Sequence, residues 1–80
     1  MDSRKVLRSN IAAELGRHDV TQSRAANAIG LSQTAFSSRM SGRAEFKVSE
    51  LVRLGAYLRV PVAILLAGLD EDPGSRVESA

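Results

Sequence analysis

Apolar residues along this chain recur at helical spacing and never alternate with a period of two. Leu7, Ile11 and Leu15 fall four residues apart and predict one apolar stripe on a first helix that begins at Asp2 or Ser3. Four later apolar groups, each preceded by a capping residue or followed by a glycine, predict four further helices. The predicted boundaries are caps at Thr21, Ser32 and Ser49, turns at Gly30 and Gly42, and a last helix from Pro61 to about Ala67, ended by Gly68.

The pattern therefore predicts an all-α, compact five-helix bundle over residues 1–68. Residues 43–48 are predicted to form a loop whose Phe46 and Val48 fold back onto the core. Helix four is predicted to bury Leu51, Leu54, Tyr57 and Leu58 on its apolar side. Residues 69–80 hold acids, Pro73 and Gly74 but little to bury, so they are predicted to be a short disordered acidic tail.

Composition excludes several kinds of site. The chain has no cysteine and one histidine, so disulfides, cysteine-ligated zinc and a histidine dyad are not available. His18 beside Asp19 is interpreted as a solvent-facing loop residue, since no nucleophile or oxyanion donor accompanies the two. The apolar run from Val60 to Leu69 is too short to span a bilayer. We expect a cytoplasmic protein that is not an enzyme and carries no cofactor or metal, with no membrane contact.

Charge is distributed unevenly. Residues 1–67 carry ten Lys or Arg against five acids, although the formal net charge of the whole chain is only +2. No acidic side chain lies between Val20 and Ala44. The same segment contains Arg24, Arg39 and Arg43. A basic segment without carboxylates suits a surface that faces phosphates, because a carboxylate there would repel them.

The third predicted helix is crowded with small polar side chains: Ser32, Gln33, Thr34, Ser37 and Ser38. Such residues are mediocre helix formers, because their side chains compete for backbone hydrogen bonds. They are, however, of the right size and chemistry to contact base edges in the major groove of duplex DNA. The small number of aromatic residues, three in the chain, argues against recognition of single strands by stacking.

The order and spacing of these residues resemble the phage repressor and Cro type of helix-turn-helix, also called the xenobiotic-response-element type. The similarity covers roughly residues 5 to 67. It rests on Thr21-Gln22, Ala26, Gly30-Leu31-Ser32, Phe36-Ser37, Gly42, Glu50-Leu51, Leu54 and Val60-Pro61. In that family the second helix of the pair enters the major groove and the first crosses the backbone.

The resemblance implies base reading by Gln33 and Thr34 at the front of helix three, with Ser37 and Ser38 one turn later. Where the family commonly has an aliphatic residue followed by Glu, this chain has Arg39 and Met40. We expect Met40 to pack on the core and Arg39 to turn outward to phosphate; the alternative is an ion pair with Glu45. The expected phosphate contacts, to which Arg8 is a further candidate, are Thr21, Gln22, Arg24, Ser32, Arg39, Arg43 and Lys47.

These features predict a sequence-specific transcriptional regulator that binds a double-stranded operator through residues 32–41 and blocks transcription. Helix five and the residues after it carry more apolar side chains than one face can bury: Ile64, Leu65, Leu66 and Leu69. They predict a weak or DNA-dependent homodimer, although packing within one chain explains them equally well. Two alternatives remain open. One is an antitoxin-like interaction protein whose acidic tail docks a basic partner, and the other is an architectural or recombination-directing DNA binder.

Overall fold

Five helices, joined by short turns and one longer loop, make up residues 3–69, the part of the chain that the computed structural model describes. They are α1 (Ser3–Arg17), α2 (Gln22–Ala28), α3 (Gln33–Met40), α4 (Val48–Leu58) and α5 (Val62–Leu65). No strand occurs within residues 3–69. The predicted all-α fold is confirmed, while residues 70–80 of the predicted tail lie outside the described part.

One core joins all five helices. Its five largest fully buried side chains come one from each helix or its end: Ile11, Ile29, Phe36, Leu54 and Leu65. Phe46, from the loop before α4, meets Phe36 edge to face, with ring centroids 5.7 Å apart. The predicted return of Phe46 to the core is confirmed, but that of Val48 is wrong, because Val48 is 76% exposed.

Four of the helices end in the same way. At each end one residue adopts a left-handed conformation, and the next residue donates its N–H to the carbonyl five positions earlier. These bonds, each 2.9 Å long, are Val20 to Leu15, Leu31 to Ala26, Arg43 to Ser38 and Val60 to Gly55. Glycine fills the left-handed position at Gly30 and Gly42, as predicted, but Asp19 and Arg59 fill it at the other two ends.

The N-termini of α2 and α3 follow the sequence prediction. Thr21 Oγ1 accepts the N–H of Arg24, and Ser32 Oγ accepts the N–H of Ala35, both at 3.1 Å. Both helices therefore begin at a side-chain cap that satisfies an otherwise unpaired donor. These two caps fix where each helix of the pair starts.

The predicted cap of α4 is wrong. The helix begins at Val48, one residue before its expected cap Ser49, and Lys47 occupies the N-cap position. The carboxylate of Glu50 reaches back to accept the Lys47 N–H at 2.9 Å. An acid in the first turn thus satisfies the N–H of the N-cap residue itself, whereas a hydroxyl at the N-cap accepts the N–H of a residue two or three positions later.

The last helix is shorter than predicted and is anchored by α1. The helical residues are Val62–Leu65, with Pro61 in the N-cap position, and the chain continues in tight turns to Leu69. Asn10 Nδ2 donates to the carbonyls of Leu65 (2.9 Å) and Ala67 (2.8 Å). These two bonds satisfy carbonyls that a longer helix would have used internally.

Helices α4 and α5 approach closely at Gly55. A Cβ on Gly55 would lie 3.0 Å from the Val60 carbonyl oxygen and 3.4 Å from Val62 Cγ2. The absence of a side chain there lets the chain reverse against α4. Tyr57, predicted on the apolar side of α4, is instead partly exposed, at 40%.

Candidate nucleic-acid interface

The polar side chains of α3 share one outer surface. Phe36 is fully buried on the opposite side of the helix, which fixes the direction in which the others point. Residues 33 and 37, and 34 and 38, are each four apart and form two adjacent rows. A shallow open surface is lined by Gln33, Thr34, Ser37, Ser38 and Arg43. The four predicted base-reading residues are therefore brought together, beside one arginine.

Helix α2 supports α3 from behind. Ala25 and Ala26 are buried, and their small side chains allow the close approach of the two helices. Arg53, on α4, lies behind the turn between them and donates to the Ile29 carbonyl at the end of α2, at 3.5 Å. A side chain of α4 thus contacts the turn that joins α2 and α3.

A second open groove lies between α2 and α3. It is lined in part by Ser23, Arg24, Asn27, Ser32 and Gln33. The predicted phosphate contacts at the helix starts are all exposed: Thr21, Gln22, Arg24 and Ser32. Thr21 and Ser32 accept backbone hydrogen bonds as caps, and each hydroxyl keeps its proton for donation to an outside acceptor.

Arg43 occupies a position that the other helix ends give to apolar residues. The residue after the left-handed one is Val20, Leu31 or Val60 at the ends of α1, α2 and α4, and each of these is packed against the core. At the end of α3 this residue is the exposed Arg43. The end of α3 therefore presents a cation outward where packing alone favours an apolar contact. Lys47, four residues later, is also exposed.

Arg39 does not turn outward, and this part of the sequence prediction is wrong. Its Nε and Nη2 donate to the two carboxylate oxygens of Glu50 at 2.7 and 3.0 Å, and Nη1 donates to the Ala35 carbonyl at 3.3 Å. The Arg39 side chain is only 13% exposed and that of Glu50 6%. The expected alternative partner is also wrong, since Glu45 pairs with Arg4 at 2.9 Å.

The reason lies in the start of α4, which places a buried carboxylate behind α3. Burial disfavours the charged form of Glu50, but hydrogen bonds from Arg39 and from the Lys47 N–H, with the charges of both residues, outweigh it. The pKa of Glu50 consequently lies below its ordinary value. Met40, four residues after Phe36, packs against the core as predicted.

Carboxylates are kept away from the outer face of α3. Neither the surface of α3 nor the groove between α2 and α3 is lined by an acid. The exposed polar face of α3 can thus approach a polyanion without a carboxylate beside it.

His18 is not only in contact with solvent. Buried Glu14, on α1, lies 3.2 Å from Arg17 and 3.5 Å from His18, so the histidine also contacts this carboxylate.

The residues predicted for a dimer interface separate into two groups. Ile64 and Leu66 are 42% and 38% exposed, and Leu69 is half-buried. Leu65 is fully buried in the core and has no surface to offer to a second chain. Its inclusion in the predicted interface is therefore wrong.

Asn10 and Gly55 were not singled out by the sequence patterns, whereas the predicted end of helix four at Arg59-Val60 is confirmed. The roles of Asn10 and Gly55 depend on which helix lies opposite, which spacing along one helix does not reveal.

Within residues 3–69 no helix has the length and apolarity to cross a bilayer. The same residues contain no group of three or more His, Cys, Asp or Glu side chains that could hold a metal ion.

No protein-family model, no curated protein and no solved structure matches this chain.

Proposed function

We propose that this protein is a sequence-specific DNA-binding regulator of transcription that reads a duplex operator with the outer face of α3. The observation that carries the proposal is the shared, acid-free surface of Gln33, Thr34, Ser37 and the half-buried Ser38, opposite the buried Phe36. A helix needs such a free polar face to enter the major groove, about 12 Å wide. Helix α2 holds that face away from the core.

Each polar residue on this face has a chemistry suited to base edges. The Gln33 amide donates and accepts, so it pairs with N7 and N6 of adenine in a bidentate manner. Thr34 offers a methyl group to the thymine methyl, and its hydroxyl can contact either a donor or an acceptor on a base edge. Ser37 and Ser38 add short, adaptable hydroxyls one turn later. Sequence preference therefore rests most heavily on Gln33.

Affinity comes from contacts to the sugar-phosphate backbone on both sides of this face. Hydrogen bonds and charge there position the protein without selecting a sequence. The residues assigned to this role are Thr21, Gln22, Arg24, Ser32, Arg43 and Lys47. Arg39 is not among them, because its guanidinium is engaged by Glu50; it orients α3 from behind.

Two copies bind one operator in this proposal. Ile64 and Leu66, exposed on and just after α5, together with Leu69, supply the contact between the copies. Such a pair places its two α3 helices about 34 Å apart, the spacing of successive major grooves on one side of B-DNA. Occupied operator DNA then excludes the transcription machinery, and repression follows from simple occlusion.

The test is a selection of binding sites from random duplexes, followed by titration of the selected duplex and of an unrelated one. Gln33→Ala is expected to weaken binding to the selected duplex by about 1–3 kcal/mol, or roughly 5- to 150-fold, and to leave the unrelated duplex unaffected. Ser9→Ala, an exposed change on α1, is the control and should alter neither. Failure of the selection to enrich any sequence contradicts sequence-specific binding, and an unchanged affinity ratio for Gln33→Ala contradicts base reading by this residue.

A further inference from the structure

The guanidinium of Arg8, on α1, lies flat against Gly42 at the end of α3. A Cβ on Gly42 would lie 3.0 Å from Nη1, 3.1 Å from Cζ and 3.3 Å from Nη2 of Arg8. The three distances are nearly equal, so the guanidinium plane faces the glycine. Gly42 also has a φ of +89°, which by itself favours glycine. The same glycine thus ends α3 and makes room for a cation from another helix.

Arg8 differs from the arginines around it. Arg4 and Arg39 line the same small cavity between α1, α3 and the loop, and they are paired with Glu45 and Glu50 respectively. Arg8 forms no hydrogen bond or ion pair with any residue in the described range 3–69. Its guanidinium is held in place by packing, while its N–H donors remain available to an acceptor from outside.

The position of Arg8 joins it to the proposed DNA-binding face. Arg43 directly follows Gly42 and lines the α3 surface with Ser37 and Ser38. Adjacent Cα atoms are about 3.8 Å apart, so Arg8 packs on the backbone immediately before Arg43. Each guanidinium offers planar N–H donors of the kind that bind phosphate oxygens.

We propose that Arg8 is a phosphate-binding residue outside the helix-turn-helix, which binds the DNA backbone together with Arg43 at the C-terminal end of α3. The proposal rests on the function proposed above and extends the interface to α1. Because packing on Gly42 already restricts the guanidinium, little side-chain freedom is lost when the phosphate binds. Gly42 is the positioning residue for this contact.

The experiment measures duplex affinity as a function of salt for wild type, Arg8→Gln and the charge-matched control Arg59→Gln. Each phosphate contact contributes about one to the slope of log affinity against log salt. Arg8→Gln is expected to lower that slope by about one and to weaken selected and unrelated duplexes equally. Arg59→Gln, at the far end of α4, is expected to leave the slope unchanged. Arg8→Lys should restore the slope with a weaker affinity than wild type, because the charge returns without the planar fork.

Urea unfolding of the same variants separates this role from a structural one. If Arg8→Gln lowers stability but leaves the salt slope at the wild-type value, Arg8 only supports the end of α3 and the proposal is overturned. That outcome leaves the proposed function intact, since wild type still binds its selected duplex and Gln33→Ala still loses the preference. If wild type binds no duplex, the proposed function fails, and the assignment of Arg8 fails with it.

Discussion

Arg39 and Glu50 form a bidentate ion pair that joins α3 to the first turn of α4, with N···O distances of 2.7 and 3.0 Å. The same carboxylate accepts the Lys47 N–H that begins α4. One buried side chain therefore caps one helix and orients another. The loop between the two helices is held at both ends by this arrangement.

Removing the charge of Glu50 is expected to destabilise the fold strongly. Glu50→Gln leaves the largely buried Arg39 guanidinium without its counter-charge, and breaking a buried pair costs about 3–5 kcal/mol. We expect about 3 kcal/mol, because Arg39 keeps its bond to the Ala35 carbonyl. Glu45→Gln is the matched control, since its pair with Arg4 is exposed and worth about 0–1 kcal/mol. Equal effects of the two changes in urea unfolding would contradict this ranking.

Acidification is expected to remove the contribution of Glu50. Its pKa in the folded state lies below the ordinary value of 4.5, so the stabilisation is complete above that value and is lost as the pH falls through the lowered folded-state value. The difference in unfolding free energy between wild type and Glu50→Gln should therefore narrow as the pH falls below 4.5 and through the lowered folded-state pKa of Glu50. Urea unfolding across that range measures it. A difference that stays constant on acidification contradicts ionisation of Glu50 as the source.

The position of Arg39 shows which features of this fold can be predicted from the sequence and which cannot. Helix starts at Thr21 and Ser32 and ends at Gly30 and Gly42 were predictable, because each depends on residues within one turn. The partner of Arg39 was not, since the choice between Glu45 and Glu50 depends on how α4 packs behind α3. Similarly, the buried Phe36 follows from spacing, and with it the outward direction of the polar face.

The end of α4 contains a strained residue whose replacement should stabilise the fold. Arg59 has φ +60°, a left-handed conformation that costs an L-residue other than glycine about 1–2 kcal/mol. Arg59→Gly is expected to raise the unfolding free energy by about 0.5–1 kcal/mol, because relief of this strain outweighs the extra freedom of glycine in the unfolded chain. Ala56→Gly, three residues earlier in the exposed part of the helix, should lower it by about 1 kcal/mol. Thermal unfolding should give opposite signs for the two changes, and the same sign for both would contradict this explanation.

Loss of the Asn10 side chain should loosen the last helix. Asn10→Ala removes two hydrogen bonds to the carbonyls of Leu65 and Ala67 and is expected to cost about 1–3 kcal/mol. Ser9→Ala, next to it but exposed, should change stability by less than about 0.5 kcal/mol. Amide exchange in Asn10→Ala should rise first at residues 62–69, and uniform acceleration across all helices would contradict a local anchoring role.

Pairing of two copies on DNA is expected to depend on the exposed residues near α5. Ile64→Asp places a charge on the proposed contact and should abolish cooperative binding to a palindromic site while leaving binding to a single half-site unchanged. Val52→Asp, a similarly exposed change on α4, is the control and should keep the cooperativity. Footprint titration on whole and half sites measures both. Retained cooperativity in Ile64→Asp would exclude this contact.

The bonds from Asn10 also constrain the order in which a newly made chain acquires its fold. They join residues 55 and 57 positions apart, so their acceptors are synthesised long after their donor. A nascent chain that stops before Leu65 already contains α2, α3 and both of their caps but lacks the fully buried leucine and the last partner of α1. The α2–α3 pair is thus synthesised early, while closure of the bundle around it awaits translation of α5.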